Sequence, residues 1–148
     1  MEHFERVLVA VDFSDVNRVA LERARHYAAQ GGKIFLLHVV EHFPYEGPLD
    51  SAVPIGGGGV DALRGDAQSR LAELAREHGL DDAQQTVRVT ASSARREILR
   101  FAADKAIDLI IVAPHGRGLL GSLGSTAMGV LNGALCDVLT VRGPDTEK

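Results

Sequence analysis

The 148-residue sequence contains a single cysteine, Cys136, so it cannot form an internal disulfide. Disulfide frameworks belong to oxidising compartments, and a chain without one is typical of the reducing cytosol, so we expect a soluble, cytoplasmic protein. Because Cys136 stands among apolar neighbours, it is predicted to be a small buried hydrophobic residue and not a nucleophile.

Clustered positive charge and long apolar runs are also missing. The formal net charge is −4, and the arginines and lysines are scattered, whereas a nucleic-acid groove needs a basic patch. No apolar run approaches the roughly 20 residues of a membrane-spanning helix. The first residues, MEHFERVLVAVDF, are acidic and then strand-like, unlike a signal peptide. We therefore expect neither a nucleic-acid nor a membrane partner.

Familiar catalytic and phosphate-binding motifs are absent as well. The chain has neither GxxxxGK[ST] nor GxGxxG, and no Ser/His/Asp or Cys/His arrangement has a recognisable context. His38 lies inside an apolar run without a second ligand at metal-binding spacing, which favours a histidine satisfied by a structural partner. The sequence thus predicts no catalytic residue.

What the chain does contain is an alternation of apolar strands and amphipathic helices. The predicted strands are Arg6–Val11, Lys33–Val40, Gln85–Thr90, Asp108–Ala113 and an apolar strand ending at Val141. The predicted helices are Val16–Gln30, Val60–His78, Ala94–Lys105 and a short helix of small residues before the last strand. Ser14 or Asp15 is expected to cap the first helix, Ser92 or Ser93 the third, and Gly31-Gly32 to end the first. The polar alternation of Gln85–Thr90 indicates an edge strand.

This alternation predicts one α/β domain over residues 1–148: a three-layer sandwich with a parallel sheet between two helical layers. The stretch 41–59 holds three prolines and four consecutive glycines, so it is predicted to be a flexible loop, either a lid or a segment without a role. Residues 143–148 form a predicted tail.

In such sheets, ligands bind beyond the carboxyl ends of the strands. The strand ends bring together Asp12, Val39, and the pair Val112-Ala113, and the glycine-rich turn with Gly116 follows. The helix beginning near Gly124, Ser125 and Thr126 offers amide and hydroxyl donors to a phosphate. Asp12 could accept from ribose hydroxyls or hold Mg²⁺ beside phosphates, and Val39 could meet a base. The alternative is that the glycines only make a tight strand-to-helix connection.

Four pieces of the chain resemble the universal stress protein family: VLVAVDFSD at 7–15, KIFLLHVV at 33–40, EILRFAADKAIDLIIVAPHGRG at 97–118 and GSTAMGVLNGALCDVLTVR at 124–142. The resemblance implies a five-stranded parallel sheet of order 3-2-1-4-5, an adenine-nucleotide alpha hydrolase-like fold. It also implies a homodimer paired through the last strand, here Asp137 to Val141. One branch of the family binds ATP through G-x2-G-x9-G-[ST]. Carried over, its site residues are Asp12, Val39, Val112, Gly116, Gly124 and Ser125.

The chain departs from that fingerprint at two points. Ala113 replaces the first glycine, and only the seven residues 117–123 separate Gly116 from Gly124 where nine are expected. The shorter spacing resembles the A-type branch, whose founding members do not bind ATP. Three functions follow: a stress-response protein that binds partner proteins and is gated by ATP, ADP or AMP; the same scaffold without nucleotide; or a slow ATPase in which Asp12 positions Mg²⁺.

Overall fold

The computed structural model describes residues 3–43, 59–114 and 124–143, and these form one parallel sheet with helices on both of its faces. The strands are β1 (Phe4–Ala10), β2 (Ala28–Glu41), β3 (Gln84–Thr90), β4 (Leu109–Val112) and β5 (Asp137–Thr140). The helices are α1 (Asn17–Tyr27), α2 (Gly59–Glu77), α3 (Ala94–Asp104) and α4 (Gly124–Gly133). The strand order is β3-β2-β1-β4-β5, and every neighbouring pair is parallel. The expected order and fold class are confirmed.

Two apolar layers cover the sheet because successive side chains of a strand point to opposite faces. Val7 and Val9 of β1 face one layer and Leu8 faces the other, and all three are fully buried. The first layer is completed by α1 and α2, through Ala20, Leu21, Ala24, Ala67, Leu71 and Ala75. The second layer is completed by α3 and α4, through Ile98, Phe101, Ala102, Ala127 and Val130. Strands covered on both faces explain the continuous apolar runs.

The junction between α1 and β2 differs from the prediction. Helix α1 ends at Tyr27, and strand geometry begins at Ala28, so Gly31-Gly32 lies inside β2 and does not terminate the helix. The pairing with β1 shifts there, since Phe4 pairs with Ala28 whereas Arg6 pairs with Lys33. The N-terminal prediction for α1 was also wrong: its cap position is Val16, which makes no side-chain cap bond.

The remaining elements agree closely with the sequence. Strand β3 lies at an edge of the sheet, as its polar alternation predicted. The N-terminus of α3 is capped by Ser93, whose Oγ accepts from the Arg96 amide at 3.3 Å. The predicted loop at 41–59 lies largely outside the described residues, as does the tail beyond Gly143. No helix in the described ranges is long and apolar enough to span a membrane.

Cys136 is half-buried, not fully buried as expected, and it packs beside the second apolar layer. Desolvation by its surroundings raises the pKa of the thiol, and the carboxylates of Asp137 and Asp108 raise it further. A raised pKa keeps the thiol protonated and weakly nucleophilic, which agrees with the prediction that Cys136 is not a nucleophile.

Candidate functional site

A cavity of about 390 Å³ opens at the carboxyl ends of the central strands. It lies between the ends of β1, β2 and β4 on one side and the N-termini of α3 and α4 on the other. Its volume falls within the range of about 300–1,000 Å³ that is usual for small-molecule sites. The lining residues are Ala10, Val11, Asp12, Leu37, His38, Val39, Ala94, Ile98, Val112, Ala113, Gly124, Ser125, Thr126 and Ala127.

The turn after β1 is held by a buried amide side chain. Asn17 is 1% exposed, and its Oδ1 accepts from the backbone amides of Asp12 at 2.9 Å and Phe13 at 2.7 Å. Phe13 has a φ of 63°, a left-handed conformation that is unusual for a bulky residue. The Asp12 carboxylate accepts from the Ser14 amide at 2.9 Å. These bonds fix the direction in which β1 delivers Asp12 to the cavity.

The end of β2 presents backbone groups to the cavity. Just after β1, the Val11 amide donates to the Leu37 carbonyl of β2 at 2.8 Å. Residues two apart in a strand direct their backbone groups to the same side, so those of Val39 point beyond the end of β1. The Val11 carbonyl accepts from His38 Nδ1 at 2.7 Å, which confirms that His38 has a structural partner.

The N-terminus of α4 forms the polar end of the cavity. Gly124 starts this helix with a φ of 78°, in the region that favours glycine. The first amides of a helix have no partner within the helix and carry partial positive charge. The first turn of α4 holds no acidic residue to compete for them. Ser125 and Thr126 add hydroxyl groups at the same end.

The sequence did not reveal that α3 forms a wall of the cavity. Ala94 and Ile98 line it from the first two turns of α3. This helix is tied to β2, because Glu41 Oε1 accepts from the Ala94 amide at 2.8 Å. The serine pair at 92–93 was the only signal in the sequence, since it predicts that a helix begins after β3. Nothing in the local pattern indicates that this helix begins at the same edge of the sheet as Asp12.

All predicted site residues that lie in the described ranges contribute to this one cavity: Asp12, Val39, Val112, Ala113, Gly124, Ser125 and Thr126. Gly116 lies outside the described residues. The described part of the chain contains no group of three or more metal-ligating side chains, so Asp12 has no such cluster around it among those residues. A Mg²⁺ ion here would need most of its oxygen ligands from phosphates and water.

The sequence is similar to known proteins along nearly its whole length. The family model for the universal stress protein family matches residues 3–142. Universal stress protein A homolog 2 of Coxiella burnetii is 36% identical over 145 residues, which cover 96% of this chain and 97% of the relative. Universal stress protein A homolog 1 of the same organism is 30% identical over 141 residues, covering 94% and 96%.

Solved structures share the fold. Universal stress protein UspA from Lactobacillus plantarum superposes with a TM-score of 0.71 at 22% identity, covering 96% of this chain and 100% of the other. A universal stress protein in complex with cAMP gives 0.61 at 23% identity, covering 95% and 98%. The universal stress protein from Archaeoglobus fulgidus in complex with dAMP gives 0.59 at 20% identity, covering 91% and 95%. With the matching family model and relatives, the chain belongs to the universal stress protein family.

Proposed function

We propose that this protein binds an adenine nucleotide in the cavity and acts as a homodimeric, cytoplasmic stress-response protein that binds partner proteins according to its nucleotide state. The observation that carries the proposal is the convergence of Asp12, Val39, and the start of α4 on one cavity of about 390 Å³. The carboxylate suits the ribose of a nucleotide, and the open strand edge suits its base. The helix N-terminus suits its phosphate.

Each part of the ligand has a matching group. A base fits beside Val39, whose backbone groups point beyond the end of β1, with the apolar side chains of Ala10 and Ile98 nearby. In the proposed complex Asp12 would accept from the ribose hydroxyls, and the amides that start α4 would donate to phosphate. The complexes of two structural neighbours with cAMP and dAMP support an adenine nucleotide as the ligand class.

Ala113 affects how many phosphates of a bound nucleotide the cavity can hold close to the backbone. It lines the cavity at the end of β4, and its methyl group occupies the position where the fingerprint has a glycine. A methyl group limits close approach of the backbone to a phosphate chain. If Mg²⁺ accompanies the phosphates, Asp12 is the carboxylate in the described lining that would hold it, and the ion would supply positive charge to them.

The homodimer proposal is supported by the exposed edge of the sheet. Strand β5 pairs with β4 on one side and lies at the end of the sheet on the other. An unpaired edge is a template for another strand. Apolar side chains lie close by in the chain, since Leu135 is fully exposed and Leu131 and Met128 are partly exposed. A second copy of β5 would cover both the edge and this apolar surface.

The nucleotide proposal is tested by thermal unfolding with ATP, ADP and AMP, and by mass spectrometry of the denatured protein for co-purified nucleotide. A ligand at 100 times its Kd adds about 2.7 kcal/mol to the free energy of unfolding, so saturating nucleotide should raise the Tm by several degrees. Asp12→Asn keeps the acceptor for the Ser14 amide and should lower nucleotide affinity about tenfold or more, since it removes a charged acceptor.

Asp104→Asn, at the far end of α3, is the matched control and should bind like wild type. If no nucleotide co-purifies and none of the three raises the Tm, the nucleotide proposal fails and the nucleotide-free scaffold remains. If ADP accumulates from bound ATP at a rate that Asp12→Asn abolishes, the protein is an ATPase. ATP that stays intact when bound supports a nucleotide-dependent switch.

A further inference from the structure

We infer that Arg95 of α3 recognises the charge of the phosphate group at the α4 end of the cavity, and so discriminates nucleotides from nucleosides. The inference rests on the proposed function, because it assigns a specificity residue to the same cavity. It is carried by the packing of Arg95 across a glycine of α4, one turn from Ser125.

Helices α3 and α4 pack through two glycines of α4. A methyl group at Gly129 would overlap Cδ of Arg95 and lie 3.3 Å from its Cβ and Cγ. A methyl group at Gly133 would lie 2.7 Å from Cδ1 of Leu99. Small residues four apart let side chains of a neighbouring helix cross close to the backbone. The stem of Arg95 therefore runs over the surface of α4 at Gly129.

Arg95 is the second residue of α3, and both α3 and α4 begin at the cavity. Arg95 contacts Gly129, and Leu99, four residues later in α3, contacts Gly133, four residues later in α4. The two helices are therefore parallel. Long helical side chains lean toward the N-terminus of their helix. Ser125 lies four residues before Gly129 on the same face of α4, about 6 Å along the helix. The general tendency of long helical side chains directs Arg95 toward this side.

The charge of Arg95 is not neutralised by a carboxylate in the described ranges. The ion pairs found there involve Arg64, Arg76, Arg88 and Arg100. The nearest acid along α3, Glu97, is bound by Arg88 and Arg100 at 3.6 and 3.7 Å and by the Thr90 hydroxyl at 3.2 Å. Glu41 lies at the start of α3, where it accepts from the Ala94 amide. Arg95 is therefore left available for an anionic ligand.

The described lining of the cavity holds no lysine or arginine, and Arg95 is the residue that follows the lining residue Ala94. The first turn of α4 carries none, and Ala113 stands where a glycine would allow closer backbone contact with phosphate. A guanidinium group binds phosphate oxygens with paired, charge-assisted hydrogen bonds. Arg95 would supply the charge recognition that helix amides and hydroxyl groups alone give only weakly.

The test compares the affinity for AMP with that for adenosine, which lacks the phosphate, by isothermal titration calorimetry. Arg95→Gln should weaken AMP binding about ten- to a hundredfold, the usual size for loss of a charge-assisted contact, and leave adenosine binding unchanged. Arg96→Gln is the control, because Arg96 is also exposed on α3 but its side chain faces a different direction. It should bind both ligands like wild type.

Gly129→Ala is a second variant that leaves Arg95 in the sequence. Its methyl group would push the flexible Arg95 side chain off α4, whereas alanine improves the helical propensity of this position. AMP binding should weaken as in Arg95→Gln with no loss of Tm, and the double variant should be no weaker than either single variant.

The outcomes separate the inference from the function on which it rests. If wild-type protein binds AMP and Arg95→Gln binds it equally well, or loses AMP and adenosine to the same extent, the assignment of Arg95 is wrong and nucleotide binding stands. If wild-type protein binds neither compound, the proposed function fails and the assignment fails with it. A loss confined to AMP in both Arg95→Gln and Gly129→Ala establishes the role.

Discussion

At the scale of single residues, Asn17 shows how much of the site depends on a side chain that never lines it. It is buried in the first turn of α1, and it accepts from two successive amides of the preceding turn. Those bonds stabilise a turn in which Phe13 adopts a positive φ. Asp12 can face the cavity only because the chain turns sharply at this point.

Asn17→Ala should lower the free energy of unfolding by about 1–3 kcal/mol, because two backbone amides lose their acceptor. The comparison is urea unfolding against Arg18→Ala, an exposed position on the same helix that should change stability by less than about 0.5 kcal/mol. Equal stability of Asn17→Ala and wild type would mean that the two amides find other acceptors, and that the turn does not depend on Asn17.

Sequence reasoning identified the residues that line the cavity better than the residues that support it. Asp12, Ser125 and Thr126 follow a strand or begin a helix, so their position along the chain predicts their place in the fold. Asn17 follows the expected cap residues Ser14 and Asp15, and a polar residue there looks like any exposed helical position. Asn17 accepts from the amides of Asp12 and Phe13, which precede it in the chain. The capping rules for helix N-termini describe side chains that accept from amides later in the chain.

At the scale of elements, the start of β2 is where local rules failed. A glycine pair after a helical pattern is a usual stop signal, so the sequence predicts that Gly31-Gly32 ends α1. In the structure Gly31 has a φ of 81° inside the irregular start of the strand. An ideal Cβ on Gly32 would lie 2.9 Å from the Ala29 carbonyl oxygen and 3.1 Å from those of Phe4 and Glu5. Close backbone approach, not helix termination, requires glycine at position 32.

Gly32→Ala should destabilise the protein by roughly 1–3 kcal/mol, because its methyl group meets backbone oxygens that cannot move aside as a flexible side chain would. Gly65→Ala on α2 is the matched control, since a methyl group there meets no atom within 4 Å. The control should stabilise the protein by up to about 1 kcal/mol through helical propensity. Urea unfolding of both variants checks the pair, and a Gly32→Ala variant as stable as wild type would contradict this account of the shifted register.

At the scale of the whole molecule, the strand order could not be obtained from local patterns. The alternation of strands and helices predicts a parallel sheet, but it leaves open which strand lies beside which. The order came from the resemblance to a family, and the structure confirms it. The order matters for function because it places β1 beside β4 and leaves β5 at an edge, so the cavity lies near the middle of the sheet and the proposed dimer surface at its side.

If two copies pair through β5, a charge on that strand should weaken the dimer. Thr140 lies near the end of β5 and is partly exposed, and a lysine there would bring two positive charges close together in a symmetric pair. Thr140→Lys should therefore shift sedimentation velocity from dimer toward monomer, with a larger shift at low salt. The matched control is Gln85→Lys, an exposed position on β3 at the opposite edge, which should leave the dimer intact. A Thr140→Lys protein that sediments as wild type, or a Gln85→Lys protein that dissociates, would place the dimer contact away from β5.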